Sequence, residues 1–386
     1  MIEIATTWAA IASVIVAAGG SLYALAAATA VRGFSGDRGA TPEAWPGVTL
    51  LKPVAGDAPG LYANLLSFCD QDYSGPTQTL FGVHDPDDPA IAIIERLISE
   101  RSTRNLELVV HTPEHRQNPK VANLAGLEAR IRHEVVVIAD ADIHVARDYL
   151  RHVVEALTPA GVGAVTCLYR GVPRGGIWAQ LASMGIDYHF LPGVVLGLRL
   201  GLARPCFGST VALTRATLES IGGFNAFAGY LADDYAIGEA IRARHLKVAI
   251  PASILDHDCA ERSARELLRH ELRWARTLRA VEPVGYAGSI ITHPLPFAML
   301  AAALTGFGSV GWIAIAAALG CRLVLELQVD HTLGSSPKRA WLGPVRDLLA
   351  FAVYVASFFV DVVRWGGQRY RIAASGAMNR IEDRNG

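Results

Sequence analysis

From Ile4 to Val31 the chain holds no charged residue and is dominated by Ala, Ile, Val and Leu. A helix rising about 1.5 Å per residue over that length covers a hydrocarbon core about 30 Å thick. The pattern therefore predicts a membrane-spanning helix. A cleavable signal sequence is the competing reading, but the leading segment has Glu3 and no Lys or Arg, and the apolar run is long for such a signal. Arg32 and Arg38 follow, which by the positive-inside rule places the next segment in the cytoplasm. Residues 33–46, with Gly39, Pro42 and Pro46, read as a linker.

Beyond Pro46 the rhythm changes. Val48–Leu51, Thr79–Val83, Leu106–Val110 and Val135–Ala139 are short, mainly apolar runs, the mark of buried strands of a parallel sheet. Helical periodicity over Ala90–Glu100 and Val121–Arg130 separates them, so residues 47–285 are expected to form an α/β domain. Past His293 the chain is strongly apolar again to Leu319, broken at Gly306-Phe307-Gly308-Ser309. That break predicts a helical hairpin, Ile290–Thr305 and Val310–Gln328, which brings Lys338, Arg339 and Arg346 back to the side the charge rule favours. A last apolar stretch, Leu348–Val363, contains Asp361 and is followed by Arg364, Arg369 and Arg371; its pattern suits a span and an interfacial helix alike. The expected organisation is an anchor over 1–32, the linker, the α/β domain over 47–285, a membrane region of two or three helices over 286–365 and a basic tail over 366–386.

Composition sharpens this picture. Hydrophobic residues make up 51% of 386, and they concentrate at the two ends, as in an integral membrane protein. With 35 Lys and Arg against 36 Asp and Glu, no global basic field points to nucleic acid. Cys69, Cys167, Cys206, Cys259 and Cys321 are odd in number and widely spaced, and read as reduced thiols in the cytosol.

Candidate chemistry lies in five places. Asp140-Ala141-Asp142 follows the strand Val135–Ala139, where two carboxylates can share Mg2+ or Mn2+ bridging a diphosphate; a solvated turn is the plainer alternative. His84-Asp85-Pro86-Asp87-Asp88-Pro89 follows Thr79–Val83; its acids can accept from a ribose or a base, or Asp88 can simply cap a helix starting at Pro89. Asp233-Asp234 precedes a helix-like Ala236–His245, and a carboxylate there can act as general base toward a hydroxyl acceptor or serve only as a helix-dipole partner. His270-Glu271-Leu272-Arg273-Trp274 lies on a predicted helix Ser263–Arg279. Arg273 can stabilise a departing diphosphate and Trp274 can floor an acceptor, while Arg265, Arg269, Arg276 and Arg279 suit a helix lying on lipid phosphates. Lastly, Gln117-Asn118-Pro119-Lys120 marks a helix start where Lys120 and free amides can meet phosphate oxygens. The apolar segment Trp178–Leu202 reads either as a guide for a lipid, with Tyr188, His189 and Phe190, or as a core helix followed by a buried strand.

Asp88, Asp140 and Asp234 followed by Arg273-Trp274 resemble the D, D, D, (Q/R)xxRW signature of the ceramide glucosyltransferases and related enzymes, with His270 at the variable first position. Leu51-Lys52-Pro53, Asp87-Asp88-Pro89-Ala90, Asn118-Pro119-Lys120 and Asp233-Asp234-Tyr235 are similar to that family's local blocks. Cys167–Gly171, Tyr188–Pro192, Arg204–Gly208 and His270–Trp274 resemble most the hopanoid-associated glycosyltransferases of bacteria. The resemblance implies a GT-A-type domain carried on membrane helices in the bacterial inner membrane, facing the cytoplasm. It implies an inverting transferase that moves N-acetylglucosamine from its UDP donor to bacteriohopanetetrol, with glucose transfer from UDP-glucose to ceramide as the second reading. A non-catalytic lipid-binding scaffold is the alternative from another class. It assigns Asp85 and Asp88 to the uridine, Lys120 to the phosphates, Asp140 and Asp142 to the metal and diphosphate, and Asp234 to the acceptor hydroxyl. Asp233, His189 and Trp274 are expected near the acceptor.

Overall fold

The structure, a computed structural model, describes residues 2–112, 118–335, 340–359, 362–365, 368–373 and 377–381. Gln117, Lys338, Arg339 and Asp361, to which the sequence reading gave roles, lie outside them. The chain separates into two compact units: Ser35–Arg174, Arg204–Ala260 and Trp365–Gly386 form one, and Met1–Phe34, Gly175–Ala203 and Glu261–Arg364 form the other.

The first unit is α/β. Its strands are β1 (Val48–Pro53), β2 (Thr77–Val83), β3 (Leu106–Val110), β4 (Val135–Ile138), β5 (Ile143–His144), β6 (Val162–Val165), β7 (Leu168–Pro173), β8 (Val211–Thr214), β9 (Lys247–Ala249) and β10 (Ile254–Cys259). Seven of them form one sheet in the order β3-β2-β1-β4-β8-β6-β9. The four expected from apolar runs are mutually parallel, with Leu51 opposite Leu80 on one side and Ile138 on the other. β8 runs antiparallel to both neighbours, and β9 pairs parallel with β6. β1 and β4 are buried along nearly their whole length, which is why their sequences do not alternate. The chain runs outward from β1 to β3 and returns to β4 on the other flank of β1, so a crevice opens beyond the carboxyl ends of these two strands. A second sheet, β5-β10-β7, follows the turn after β4. Helix Pro119–Glu128 is fixed by Asn118, whose Oδ1 accepts from the Val121 amide at 3.0 Å. Its Val121, Leu124 and Leu127 pack with Leu51, Leu80 and Val136.

The second unit is helical. Helix Ile2–Arg32 packs on Pro294–Leu304 and Ser309–Leu333. Small residues set that packing: Ala17, Ala298 and Ala318 form a core cluster, and a Cβ on Gly311 would lie 2.4 Å from Ala302 Cα. Without a hydrophobic drive between apolar helices, such close approach is how they associate. Ile2–Arg32 thus takes the form the apolar pattern predicted, while the hairpin's first helix starts at Pro294, behind a 3-10 turn over Ser289–Thr292. Glu3–Arg32, Ile177–Arg199 and Ser309–Leu333 are long and apolar enough to cross a membrane. Of the last apolar stretch, Leu348–Ser357 lies in helix Gly343–Ser357, while Val362 and Val363 belong to a strand, Val362–Trp365, where a helix was expected.

Trp178–Leu202 contains no strand, contrary to the core-helix-and-strand reading. Helix Ile177–Gly185 runs through a π turn, Ile186–Phe190, into helix Leu191–Arg199. Pro192 has no N–H to offer the Tyr188 carbonyl one turn back. Arg322 Nη1 donates to that carbonyl instead, at 3.1 Å, and Arg322 Nε donates to Asp347 at 3.1 Å.

Candidate active site

At the carboxyl end of β1 stands Lys52, fully buried. Its Nζ donates to the Asp140 carbonyl at 2.5 Å and lies 3.6 Å from the centre of the Phe68 ring. Burial pushes this ammonium down to about 7, against the pull of Asp140 and Asp142. The bond ties the ends of β1 and β4 together where the crevice opens and fixes the start of the Asp140-Ala141-Asp142 turn.

That turn meets the second acidic group through one cation. Lys120, at the start of helix Pro119–Glu128, places Nζ 2.6 Å from Asp140 Oδ1 and 3.5 Å from Asp233 Oδ2. Burial lowers the Lys120 pKa, but Asp140, Asp233 and Asp234 outweigh it and hold the lysine well above its usual range. Asp140 is raised by burial despite Lys120.

Gly208, just before β8, forms the floor. Its amide donates to Asp234 Oδ2 at 2.7 Å and its carbonyl accepts from the Asp140 amide at 3.1 Å. A Cβ here would sit 2.5 Å from Asp140 Oδ2 and 2.8 Å from Lys120 Nζ. Only the missing side chain lets the three groups meet.

Asp233 and Asp234 open helix Asp233–Arg242, three residues earlier than the sequence pattern suggested. Asp234 Oδ1 accepts from the Tyr235 amide at 2.8 Å, so both oxygens are oriented by backbone donors. Burial, reinforced by the adjacent Asp233 charge, lifts Asp234 to about 6.

On the second sheet, His257 Nε2 lies 3.4 Å from Asp142 Oδ2. Burial disfavours its proton, but Asp142 more than compensates and raises its pKa well above the ordinary value. Tyr169 of β7 packs between the His257 ring, 5.4 Å away between centroids, and Phe207 at 5.9 Å. Its hydroxyl is pushed up by burial and by Asp234, Asp140 and Asp142, so this aromatic wall borders all three acids.

Asp88 is engaged differently. Its carboxylate accepts from the Gly56 amide at 2.9 and 3.0 Å and from the Ala90 amide at 2.8 Å, joining the loop after β1 to helix Ala90–Glu100. The helix begins at Ala90, not Pro89. Asp85 turns back on the Asp87 amide at 3.0 Å and is exposed.

Arg273, Trp274 and His189 belong to the helical unit. Helix Ala264–Val281 starts where predicted, with Ser263 Oγ accepting from the Glu266 amide at 3.2 Å. His270, at the variable motif position, bonds Glu261 at 2.7 Å and packs edge-on against Trp274, centroids 4.4 Å apart. His189 Nε2 lies 3.1 Å from Asp347 and 2.9 Å from Arg322 Nη2.

The structure therefore gathers Lys120, Asp140, Asp142, Asp233 and Asp234 in the α/β unit. Lys52, Tyr169 and Gly208, quoted above only within blocks that resemble the family and given no role, stand among them, as does His257, which the sequence reading did not name. For Lys52 the signals were a lysine closing a buried strand and its place in the Leu51-Lys52-Pro53 block. The other three read as an ordinary glycine and ordinary strand residues.

Among the described residues, no group of three His, Cys, Asp or Glu side chains is arranged to enclose a metal ion. A small divalent ion that takes its remaining ligands from phosphates and water needs only one or two carboxylates. Asp140 and Asp142, leaving one strand end beside a glycine cradle, fit that requirement.

Comparison with known proteins places this geometry. The chain is 22% identical over 346 residues to ceramide glucosyltransferase 1 of Caenorhabditis elegans, covering 86% of this chain and 72% of that protein. It is 30% identical over 126 residues to the ceramide glucosyltransferase of Candida albicans, covering 30% of this chain and 23% of that one. Among solved structures it is similar to the mannosyltransferase PcManGT of Pyrobaculum calidifontis in complex with GDP-Man and Mn2+, with a TM-score of 0.54 and 22% identity over 93% of this chain and 98% of that one. The fold is thus the GT-A glycosyltransferase fold. Residues 11–378 match the profile of glycosyl transferase family 21, and this chain, a glycosyltransferase, belongs to that family.

Proposed function

We propose that the enzyme transfers a sugar from a UDP donor to a hydroxyl of a membrane lipid with inversion at the anomeric carbon. The observation that supports this most directly is the convergence of Asp140 and the Asp233–Asp234 pair on Lys120 and Gly208. The lipid acceptor is supported by the ceramide glucosyltransferase relatives and by the three candidate membrane spans.

In this reading the acceptor hydroxyl attacks the anomeric carbon as the bond to the UDP oxygen breaks, and Asp234 takes the hydroxyl proton. Its carboxylate is aimed by the Gly208 and Tyr235 amides and tuned by burial to about 6, which suits a base working near neutral pH. Lys120 meets the phosphates. Asp140 and Asp142 would hold Mg2+ or Mn2+, which would neutralise charge on the diphosphate; Mn2+ accompanies GDP-Man in the similar mannosyltransferase. Asp85 and Asp88 are assigned to the uridine side. For Asp88 the contribution is to shape the loop at Gly56, because its oxygens already serve three backbone bonds. The motif assigns Arg273 to the leaving group and Trp274, with Asp233 and His189, to the acceptor.

The sugar and acceptor we favour are N-acetylglucosamine and a hopanoid polyol, on the resemblance of the Tyr188–Pro192 and Arg204–Gly208 blocks. Glucosylation of ceramide is the second reading, favoured by the named relatives. We place the enzyme in a bacterial inner membrane with the α/β unit in the cytoplasm, following Arg32 and Arg38. Purified protein in detergent, given UDP-N-acetylglucosamine or UDP-glucose with each lipid and Mg2+ or Mn2+, should yield one glycolipid whose mass identifies both substrates. No product with any pair would overturn the reading.

A further inference from the structure

We propose that the C-terminal hairpin is a positioning element for the Asp233–Asp234 pair, a role that rests on the transferase reading above. After the last apolar helix the chain returns to the α/β unit. There Gln368–Ile372 pairs antiparallel with Met378–Arg380, Tyr370 facing Arg380 and Ile372 facing Met378 in register. The Ala373 amide donates to the Ala377 carbonyl at 2.8 Å, Tyr370 is fully buried, and Met378 is nearly so.

This hairpin is joined to the segment that leads into the acid pair. Ala377 bridges antiparallel to Tyr230, and the Met378 amide donates to the Gly229 carbonyl at 2.7 Å. Tyr230 is held on its other side by Asn118, whose Nδ2 donates to the Tyr230 carbonyl at 2.7 Å and lies 3.5 Å from Asp233 Oδ1. Asn118 is also the cap of the helix that carries Lys120. Two residues past Tyr230, Ala232 has φ −95° and ψ 74°, outside the helical region, and the helix begins at Asp233. The short stretch from Gly229 to Ala232 is therefore clamped between a main-chain bond from the C-terminal strand and a side-chain bond from the phosphate-side helix. Where that stretch sits decides where Asp233 and Asp234 stand relative to Lys120 and Gly208.

The test uses the full chain. Met378→Pro deletes the donated N–H and Met378→Ala deletes the side chain alone, because the N–H that Met378 turns toward Gly229 is not one the hairpin uses. Met378→Pro should lower kcat for transfer at least tenfold with the donor KM within about twofold of wild type, and should move the acidic limb of the kcat/KM profile. Met378→Ala should stay within about threefold of wild type. Equal losses in both, or full kcat in Met378→Pro, would overturn the proposal. A second construction does not depend on how the proline variant folds. In Tyr230→Cys/Ala377→Cys the two thiols face each other across an antiparallel bridge, at a spacing a disulfide accepts. The oxidised enzyme should keep at least half the kcat of its reduced form, whereas a tenfold loss restored by reductant would show that the hairpin has to leave. If the wild type transfers no sugar at all, the functional reading fails, and not this inference.

Discussion

Lys120 Nζ stands 2.6 Å from Asp140 Oδ1, so the acid turn after β4 and the helix behind it share one ion pair, extended at 3.5 Å to Asp233. Removing the cation leaves carboxylates crowded in a desolvated site. Breaking a buried pair costs about 3–5 kcal/mol; with the Asp140 side chain 36% exposed, Lys120→Met should cost about 2 kcal/mol in chemical denaturation. The donor KM should rise at least tenfold. A variant as stable as wild type with an unchanged donor KM would contradict this account.

Gly208→Ala separates catalysis from stability. The added methyl would meet the ends of two flexible side chains, Asp140 Oδ2 and Lys120 Nζ, rather than backbone. Those ends can move, so the melting temperature should stay within about 3 °C while kcat falls about a hundredfold, since misplacement by about 1 Å costs that much. Wild-type turnover in this variant would show that the cradle is not where the chemistry occurs.

Activity should depend on pH through Asp234, held at about 6 by burial and by Asp233. A general base works as the carboxylate. The competent form is therefore present above pH 6 and is lost as pH falls through that value, with kcat/KM dropping about tenfold per pH unit below it. Asp234→Asn should transfer at least a thousandfold more slowly and lose this limb. An acidic limb left unchanged in Asp234→Asn, with Asp233 intact, would sink the assignment.

Helix Ile177–Arg199 is apolar enough and, at 23 residues, long enough to span, yet the strands on either side of it, β7 and β8, belong to the same α/β unit. β6, before this helix, and β8, after it, are hydrogen-bonded neighbours in one sheet, so the expectation is that the helix begins and ends on the same side. Single cysteines at the exposed positions Arg147 and Glu219 should both react with an impermeant maleimide from the same face of oriented vesicles. Labelling from opposite faces would make the helix a true crossing and the unit assignment wrong.

Much of this was legible in the chain. β1 and β4 could be read because strands covered on both faces leave apolar runs, and Asp140 was locatable because it follows one of them; β3 keeps Glu107 and one exposed end and was legible from its remaining apolar residues. Helix Ala264–Val281 was expected over Ser263–Arg279, and the structure adds the Ser263 cap that fixes its start. β6, β8 and β9, three or four residues each, are too short for periodicity to separate from helix. Asp88 looked equally suited to cap or ligand, and only the Gly56 amide, distant in sequence, decides what its oxygens bind. Gly208 contributes space, which no side-chain pattern can encode.

The position of β8 has a consequence for biosynthesis. It lies between β4 and β6 in the sheet but is made after the apolar helix Ile177–Arg199. As the polypeptide leaves the ribosome, β4 and β6 therefore wait with unpaired edges, which are prone to aggregate, until that helix and then β8 have emerged. The apolar helix is thus made before the sheet can close, and an N-terminal fragment ending before Val211 should leave the slot between β4 and β6 unfilled.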